Sequence, residues 1–600
     1  MLGYGNSIRT ILSSAILALV TIFYIYSAGS FFRVNIYILL HRVSYNTYFD
    51  FFIVNRYIDH LIIATGIIAW SVISLHGKAR IVITVSYGIL TLLAVTSGIE
   101  LLLDITAVIA MPIVICTLIY NRFASRKILI TYPNLSINYL ALFVIATSFI
   151  GIIISIGVLY FLPVNLKAPI PNYVFEIFIL FSSISPLLML LLVSCLPVKI
   201  LIKEFKLALG RVKKFSKNSI DFSNGNGIKT RTKIICLVLF MLLSIILVLI
   251  PHQPIINNDN RQIGVDTHYY VDWVGALTHS SSPQDLLYQA FVAQNGGDRP
   301  ITLIFLFALN KIVPSNLVDT IEYVPLILAP ALIFVVYLLT RELTSNEVTS
   351  LFASFLTAVS FQTLIGIYAG FYSNWFAIII GYLSFIFLLK FLKKSSILTL
   401  SLYTVSIMLL VFAHVYTWSV FLIVTTIFLA VMLKLNYYSR KNIILLLSIL
   451  FVSIIVDIAK VAIIGSSSGI VKDVLIAGGG IGLKEFALRW NNLIDIVQNW
   501  YGTQFSNFII LTLGVFWLWF SNFKRQVNIF IVIFLSIGLA TLFFGSALVQ
   551  GRILYDIPFQ IPAALSLTYI KKQPGGTLVF LAICLLLVSI SIRTVMNFHF

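Results

Sequence analysis

Long apolar runs separated by short polar stretches dominate this chain of 600 residues. Many reach or exceed the roughly 18 apolar residues that cover a hydrocarbon core, and polar loops divide them, which predicts spanning helices rather than a β-barrel. The pattern places spans near 10–29, 58–76, 81–98, 101–120, 139–162 and 173–197. A second set falls near 234–250, 321–340, 347–366, 373–391, 397–413, 416–434, 442–463, 507–521, 527–548, 555–570 and 576–592. The predicted fold class is therefore all-α, a polytopic transmembrane bundle of about 16 or 17 spans. Within 555–570, Pro558 and Pro562 also allow a re-entrant segment. The first span lacks a small-residue cleavage site followed by a soluble domain, so it reads as a retained helix.

Two long loops carry amphipathic material. In 251–320, the run Ile301 to Val313 is apolar but too short to span, which predicts an interfacial helix. In 464–506, Leu483, Phe486, Ala487, Trp490, Ile494 and Val497 recur at helical spacing opposite Lys484, Arg489 and Asp495, which predicts a helix lying flat on the bilayer.

Charge orients these elements. Residues 199–233 hold ten Lys or Arg against Glu204 and Asp221 and include the turn-forming run SNGNG, so this segment reads as a cytoplasmic connector between a six-span block at 1–198 and a module at 234–600. Counting outward from it puts Arg341, Lys390, Arg440, Lys524 and Lys571 on the cytoplasmic side and both long loops outside. The expected location is the plasma membrane, with a cytoplasmic N terminus. Hydrophobic residues make up 60% of the chain and charged residues 10%, which excludes a soluble globular domain. The net charge of +19 sits in loops beside helix ends and so reports topology, not nucleic-acid binding. Cys116, Cys195, Cys236 and Cys584 fall in apolar runs without metal-type spacing or a disulfide framework.

The polar exception is GVDTHYYVDWVGAL, Gly264 to Leu277, an acidic and aromatic loop segment between apolar runs. Together with GDRPITLIFLFALNKI, LLTRELTSNEVTSLFASFLTAVS and GIYAGFYSNWFAI, in that order and spacing, it resembles polyprenyl-phosphate-dependent glycosyltransferases of the GT-C type. The resemblance covers about 234–600 and leaves 1–198 without an assigned role. It implies an integral-membrane enzyme that takes a sugar from a polyprenyl (dolichyl) phosphate carrier outside the cytoplasm and inverts the anomeric centre. The acceptor it implies is a protein, a lipid-linked glycan or an envelope polymer, with membrane lipid as the surrounding partner.

Such a transfer needs a carboxylate for the acceptor proton and the developing positive charge, and Asp266 is the expected base. The phosphate leaving group needs cations, for which a guanidinium fork is best suited. Arg552, in QGRILYDIPFQIP, resembles the family's late external arginine, and Arg299 and Arg489 are secondary candidates. His268 and Asp272 are expected either to support Asp266 or only to solvate the loop. Tyr269, Tyr270, Tyr372, Trp375, His414 and Tyr555 are expected to line the sugar or acceptor pocket, although a belt of interfacial aromatics explains the Tyr368, Tyr372, Asn374 and Trp375 cluster as well.

No metal ligand is assigned. GIYAGFYSNW lacks the second acid that oligosaccharyltransferase-type relatives use to hold a divalent ion, and the chain lacks a WWDYG-like signature, so a metal-independent single-sugar transferase is expected, with Mg or Mn the less favoured case and Asp272 a potential second carboxylate. Two alternatives stand beside this: an oligosaccharyltransferase-like enzyme, and a transporter or lipid flippase. Against the latter, intramembrane charges are sparse, Asp104 and Asp457 being the clearest, and no repeat relates the two blocks.

Overall fold

The computed structural model describes residues 228–464 and 525–596, except 255, 258, 314 and 573–575, together with isolated positions within 85–89 and 488–517. The block at 1–198 and the loop 464–506, each apart from isolated positions, nearly all of the connector and most of the span expected at 507–521 lie outside the described residues.

Several helices begin where the sequence supplies a cap or a proline, as at Ser282, Pro300, Asn316, Pro325, Asn346 and Ser360. The first long element, α1 (Thr230–Leu249), ends in a short 3-10 turn at Ile250–His252, where Pro251 removes a backbone donor. After the loop come α2 (Thr267–Thr278), α3 (Pro283–Tyr288), α4 (Pro300–Ile312) and α5 (Leu317–Glu322). Then follow α6 (Pro325–Thr344), α7 (Glu347–Ala358), α8 (Phe361–Ala369), α9 (Tyr372–Lys393), α10 (Ile397–Ala413), α11 (Val415–Lys434) and α12 (Arg440–Ala459). The last four are α13 (Gln526–Ala540), α14 (Ala547–Tyr555), α15 (Gln560–Lys571) and α16 (Gly576–Met596). Asn346 caps α7 by accepting from Thr349 N–H, and Ser360 caps α8 by accepting from Thr363 N–H.

Seven helical segments among the described residues are long and apolar enough to cross a membrane, and the protein is a multi-pass, all-α membrane bundle. α9 lies at its centre, against α6 and α10, and is buried along most of its length. α1 and α12 sit at the periphery of the described bundle and turn Ile234, Leu239, Phe451 and Ile455 outward. Lys233, Arg341 and Lys393 gather at one end, paired with Glu347 and Glu342. The junctions α8–α9, α10–α11 and α14–α15 and the helices α2 to α5 gather at the opposite end, which carries the candidate site.

Three expectations meet the structure here. The short apolar run after Arg299 is the helix α4, held to the bundle where Thr302 Oγ1 donates to the Ala413 carbonyl at 3.1 Å. The segment 264–277 was expected as a loop, but from Thr267 onward it is the helix α2, because Tyr270, Val274 and Leu277 recur at helical spacing and bury one face. The span expected at 555–570 is instead a turn at Asp556–Phe559 followed by α15, whose twelve residues reach only about 18 Å. Gln560 to Ile570 are all buried, chiefly against α7 and α16, so α15 is enclosed by protein rather than lipid.

Candidate functional site

The main chain before Asp266 is tied at four successive amides. Ile263 and Gly264 donate to the Glu322 carboxylate at 3.0 and 3.2 Å, while Val265 and Asp266 donate to the carbonyls of Tyr368 and Ala369 at 2.9 and 3.0 Å. Such close approach demands glycine on both sides. A Cβ on Gly264 would lie 2.4 Å from Thr267 Oγ1, and Gly370, at φ +67°, passes so near that its Cβ would lie 3.2 Å from Asp266 N. Asp266 takes the N-cap position of α2, yet its carboxylate caps no amide. The side chain is left for a partner elsewhere.

That partner is Arg552, 286 residues away on α14, whose Nη2 donates to Asp266 Oδ2 at 3.4 Å. Arg552 is 13% exposed and Asp266 25%, so both are largely withdrawn from solvent while keeping some access to it. The guanidinium lies 3.6 Å from the centre of the Phe371 ring, and Nη1 donates to Asn374 Oδ1 at 2.7 Å. Three of its five N–H bonds stay uncommitted among the described residues. Burial, with Arg299 nearby, brings Arg552 below the ordinary guanidinium range despite the opposing pull of Tyr270 and Asp266.

Behind Arg552 runs a buried polar chain. Asn374 Nδ2 donates to Thr417 Oγ1 at 3.4 Å, and Thr417 Oγ1 donates to Asp556 Oδ1 at 3.2 Å. His414 caps α11: its Nδ1 accepts from Thr417 N–H at 3.3 Å, so the ring acts as a neutral acceptor there. Burial and the charges of Arg299, Arg552 and Lys460 push its pKa well below the usual histidine range, with only Asp298 opposing them. Beside this chain, the Tyr270 hydroxyl donates to Ser373 Oγ at 2.8 Å, and Arg299 Nη1 donates to both at 3.1 and 3.0 Å. Arg299 also forks onto Asp298; burial disfavours its charge, but Asp298 and Tyr270 hold it above the ordinary range.

The residues anticipated from sequence divide accordingly. Asp266 and Arg552 meet, with the buried Tyr270, Tyr372 and His414 and the partly buried Arg299 around them. Trp375 and Tyr555 pack inside the bundle against Gly366, where a Cβ would lie 2.4 Å from the indole and 2.8 Å from the Tyr555 hydroxyl. Tyr269 is half exposed and stacks near Trp273. His268 and Asp272 are exposed on α2, with His268 Nδ1 3.0 Å from the Val265 carbonyl. Arg489 is buried and donates to the carbonyls of Gly545 and Phe543, both at 3.2 Å. Sequence reasoning did not single out Glu322, Phe371, Thr417 or Asp556. For the two acids the available signal was a carboxylate at the edge of an apolar run. Among the described residues no three His, Cys, Asp or Glu side chains cluster in metal-binding fashion.

No protein-family model and no curated protein matches this chain. Solved structures of the oligosaccharyltransferase of Archaeoglobus fulgidus are similar to it. For the apo form the TM-score is 0.41 at 12% identity, covering 62% of this chain and 56% of that one. For the complex with an inhibitory peptide and a dolichol-phosphate the TM-score is 0.39 at 13% identity, covering 61% and 55%. The chain thus spans little more than half the length of these proteins.

Proposed function

We propose that this protein is an inverting glycosyltransferase that moves a sugar from a polyprenyl-phosphate carrier to an acceptor at the site end of the bundle. The observation that carries the reading is the Asp266–Arg552 pair, which joins a carboxylate at the start of α2 to a partly committed guanidinium in the last turn of α14. A lipid-borne anionic donor, with its chain in the bilayer and its phosphate at the surface, meets a cation there. An acceptor hydroxyl meets a base.

In the reaction Asp266 takes the proton of the acceptor nucleophile as its oxygen bonds to the anomeric carbon from the face opposite the phosphate. The bond from carbon to phosphate oxygen breaks, and the phosphate leaves with the electron pair. Its charge grows toward the free N–H bonds of Arg552, which Phe371 and Asn374 hold in place before the reaction. At rest Asp266 occupies part of that fork. A bound phosphate competes for Arg552 and releases the carboxylate, so donor binding and exposure of the base are coupled. The donor sugar, the carrier length and the acceptor belong to this proposal only as classes, and metal-independent transfer is its favoured form.

The test compares wild type with Asp266→Asn for transfer of labelled sugar from polyprenyl-phosphate hexoses in membranes. Asparagine keeps the shape and removes the base, so kcat should fall by about 10² to 10⁴. Undiminished transfer eliminates Asp266 as the base. Carrier-independent solute uptake without glycosyl product would replace the reading by a transporter.

A further inference from the structure

Glu322 closes α5, immediately before the turn into α6, and is 7% exposed. Its two carboxylate oxygens divide between two successive amides: Oε2 accepts from Ile263 N–H at 3.0 Å and Oε1 from Gly264 N–H at 3.2 Å. His252, at the end of α1, brings Nε2 to 3.1 Å of Oε2, while its Nδ1 lies 2.9 Å from the Val248 carbonyl. One side chain therefore joins the end of α5, the end of α1 and the loop leading to Asp266.

A buried carboxylate is costly unless paired and hydrogen-bonded, and the simplest account of Glu322 would be a loop staple with no part in chemistry. The register of its bonds says more. The amides it holds are the third and second before Asp266, and the next two, Val265 and Asp266, are held by the end of α8. All four backbone donors entering the site are spent on two rigid elements. The Asp266 side chain, which caps nothing, faces Arg552 at the edge of that clamp. Close packing of Gly264 against Thr267, Tyr372 and Gly370 removes the remaining slack.

We infer that Glu322 is a positioning residue for the transfer reaction, setting the place of Asp266 through the amides of Ile263 and Gly264; this rests on the reading of Asp266 as the base. Neither close substitute reproduces the clamp. Glutamine turns an NH₂ toward one of the two amides, and aspartate is one methylene too short to reach both while staying near His252.

The experiment uses the full chain with polyprenyl-phosphate hexoses tritiated in the sugar, and measures thermal unfolding, amide exchange over 263–266, kcat and donor KM for Glu322→Gln and Glu322→Asp. A misplacement of about 1 Å costs up to roughly 100-fold, so kcat per folded molecule should fall about 10- to 100-fold in Glu322→Gln and less in Glu322→Asp. Donor KM should stay within about twofold, because the Arg552 fork is untouched, and exchange over 263–266 should rise. Wild-type kcat per folded molecule, with only the unfolding temperature lowered, overturns the inference in favour of a staple. Should Glu322→Gln fail to fold, Glu322→Asp decides alone by the same criterion. Asp266→Asn in the same assay separates the two ideas: full activity there removes the base assignment itself, whereas an inactive Asp266→Asn beside fully active Glu322 variants removes only the positioning role.

Discussion

Replacing Arg552 tests the site most directly, because the structure states what each substitution removes. At 3.4 Å from Asp266 the gross attraction between the two charges is about 5 kcal/mol at an effective dielectric of about 20, before desolvation is set against it. The bond to Asn374 is charge-assisted and contributes about 1.5–3 kcal/mol, and the Phe371 face roughly 0.5–2 kcal/mol. Those contacts preorganise the fork; what acts on the rate is the stabilisation of the leaving phosphate. Removing one preorganised donor group from a developing anion costs about 2.7–4 kcal/mol, so Arg552→Ala should lower kcat by roughly 10²- to 10³-fold. Arg552→Lys keeps a charge but offers a point in place of a fork, and cannot face Phe371, Asn374 and a phosphate together. Loss of one charge-assisted bond, about 1.5–3 kcal/mol, predicts roughly a 10- to 100-fold drop in kcat/KM. The assay is single-turnover and steady-state sugar transfer in proteoliposomes, with circular dichroism to confirm the fold. Wild-type kcat and KM in a folded Arg552→Ala protein would refute the phosphate role, and wild-type behaviour of Arg552→Lys would refute the argument from the fork.

Arg489→Ala should act on stability instead: the buried Gly545 carbonyl loses its donor at about 1–3 kcal/mol and the part-buried Phe543 carbonyl at less, lowering Tm while donor KM stays within about twofold, and a selective rise in KM would return Arg489 to the donor site. Gly370→Ala adds about 1–2 kcal/mol of backbone strain at φ +67° and sets a Cβ against the amide of Asp266, so kcat per folded molecule should fall; a wild-type rate would show that the loop moves freely. His414, whose pKa is held well below about 6.5 in the fold, leaves the unfolded chain binding more protons as pH falls. Its contribution to stability is therefore whole above pH 6.5 or so and declines below it. His414→Asn retains a capping side chain without the titration, so its Tm should fall less steeply than that of wild type between about pH 6.5 and 5, and parallel curves would contradict the buried neutral imidazole. Chelation with EDTA should leave sugar transfer intact, whereas inhibition reversed by Mg or Mn would show that a divalent ion takes part.

Much of the architecture was legible in the sequence because lipid is a demanding solvent. A backbone that cannot bond to water must be helical, so runs such as 373–391 and 416–434 declare both their position and their type. Misreadings fell where protein replaces lipid. α15 is apolar enough to pass for a span, yet it is enclosed on all sides, and hydropathy cannot distinguish a lipid neighbour from a leucine. The polarity of the 264–277 segment suggested a loop, although Tyr270, Val274 and Leu277 already carried the spacing of a helix.

By itself the sequence determined that this is a helical membrane protein, and it marked Asp266 and Arg552 as charges worth attention, since apolar chains rarely carry ionisable groups without use. Only the tertiary structure decided that these two meet, that Arg489 is spent on backbone carbonyls, and that Glu322 grips the strand of chain before Asp266. The physical reason lies in range. Solvent preference and helical periodicity act residue by residue along the chain, whereas an ion pair spanning 286 residues depends on how whole helices pack, which no local pattern encodes.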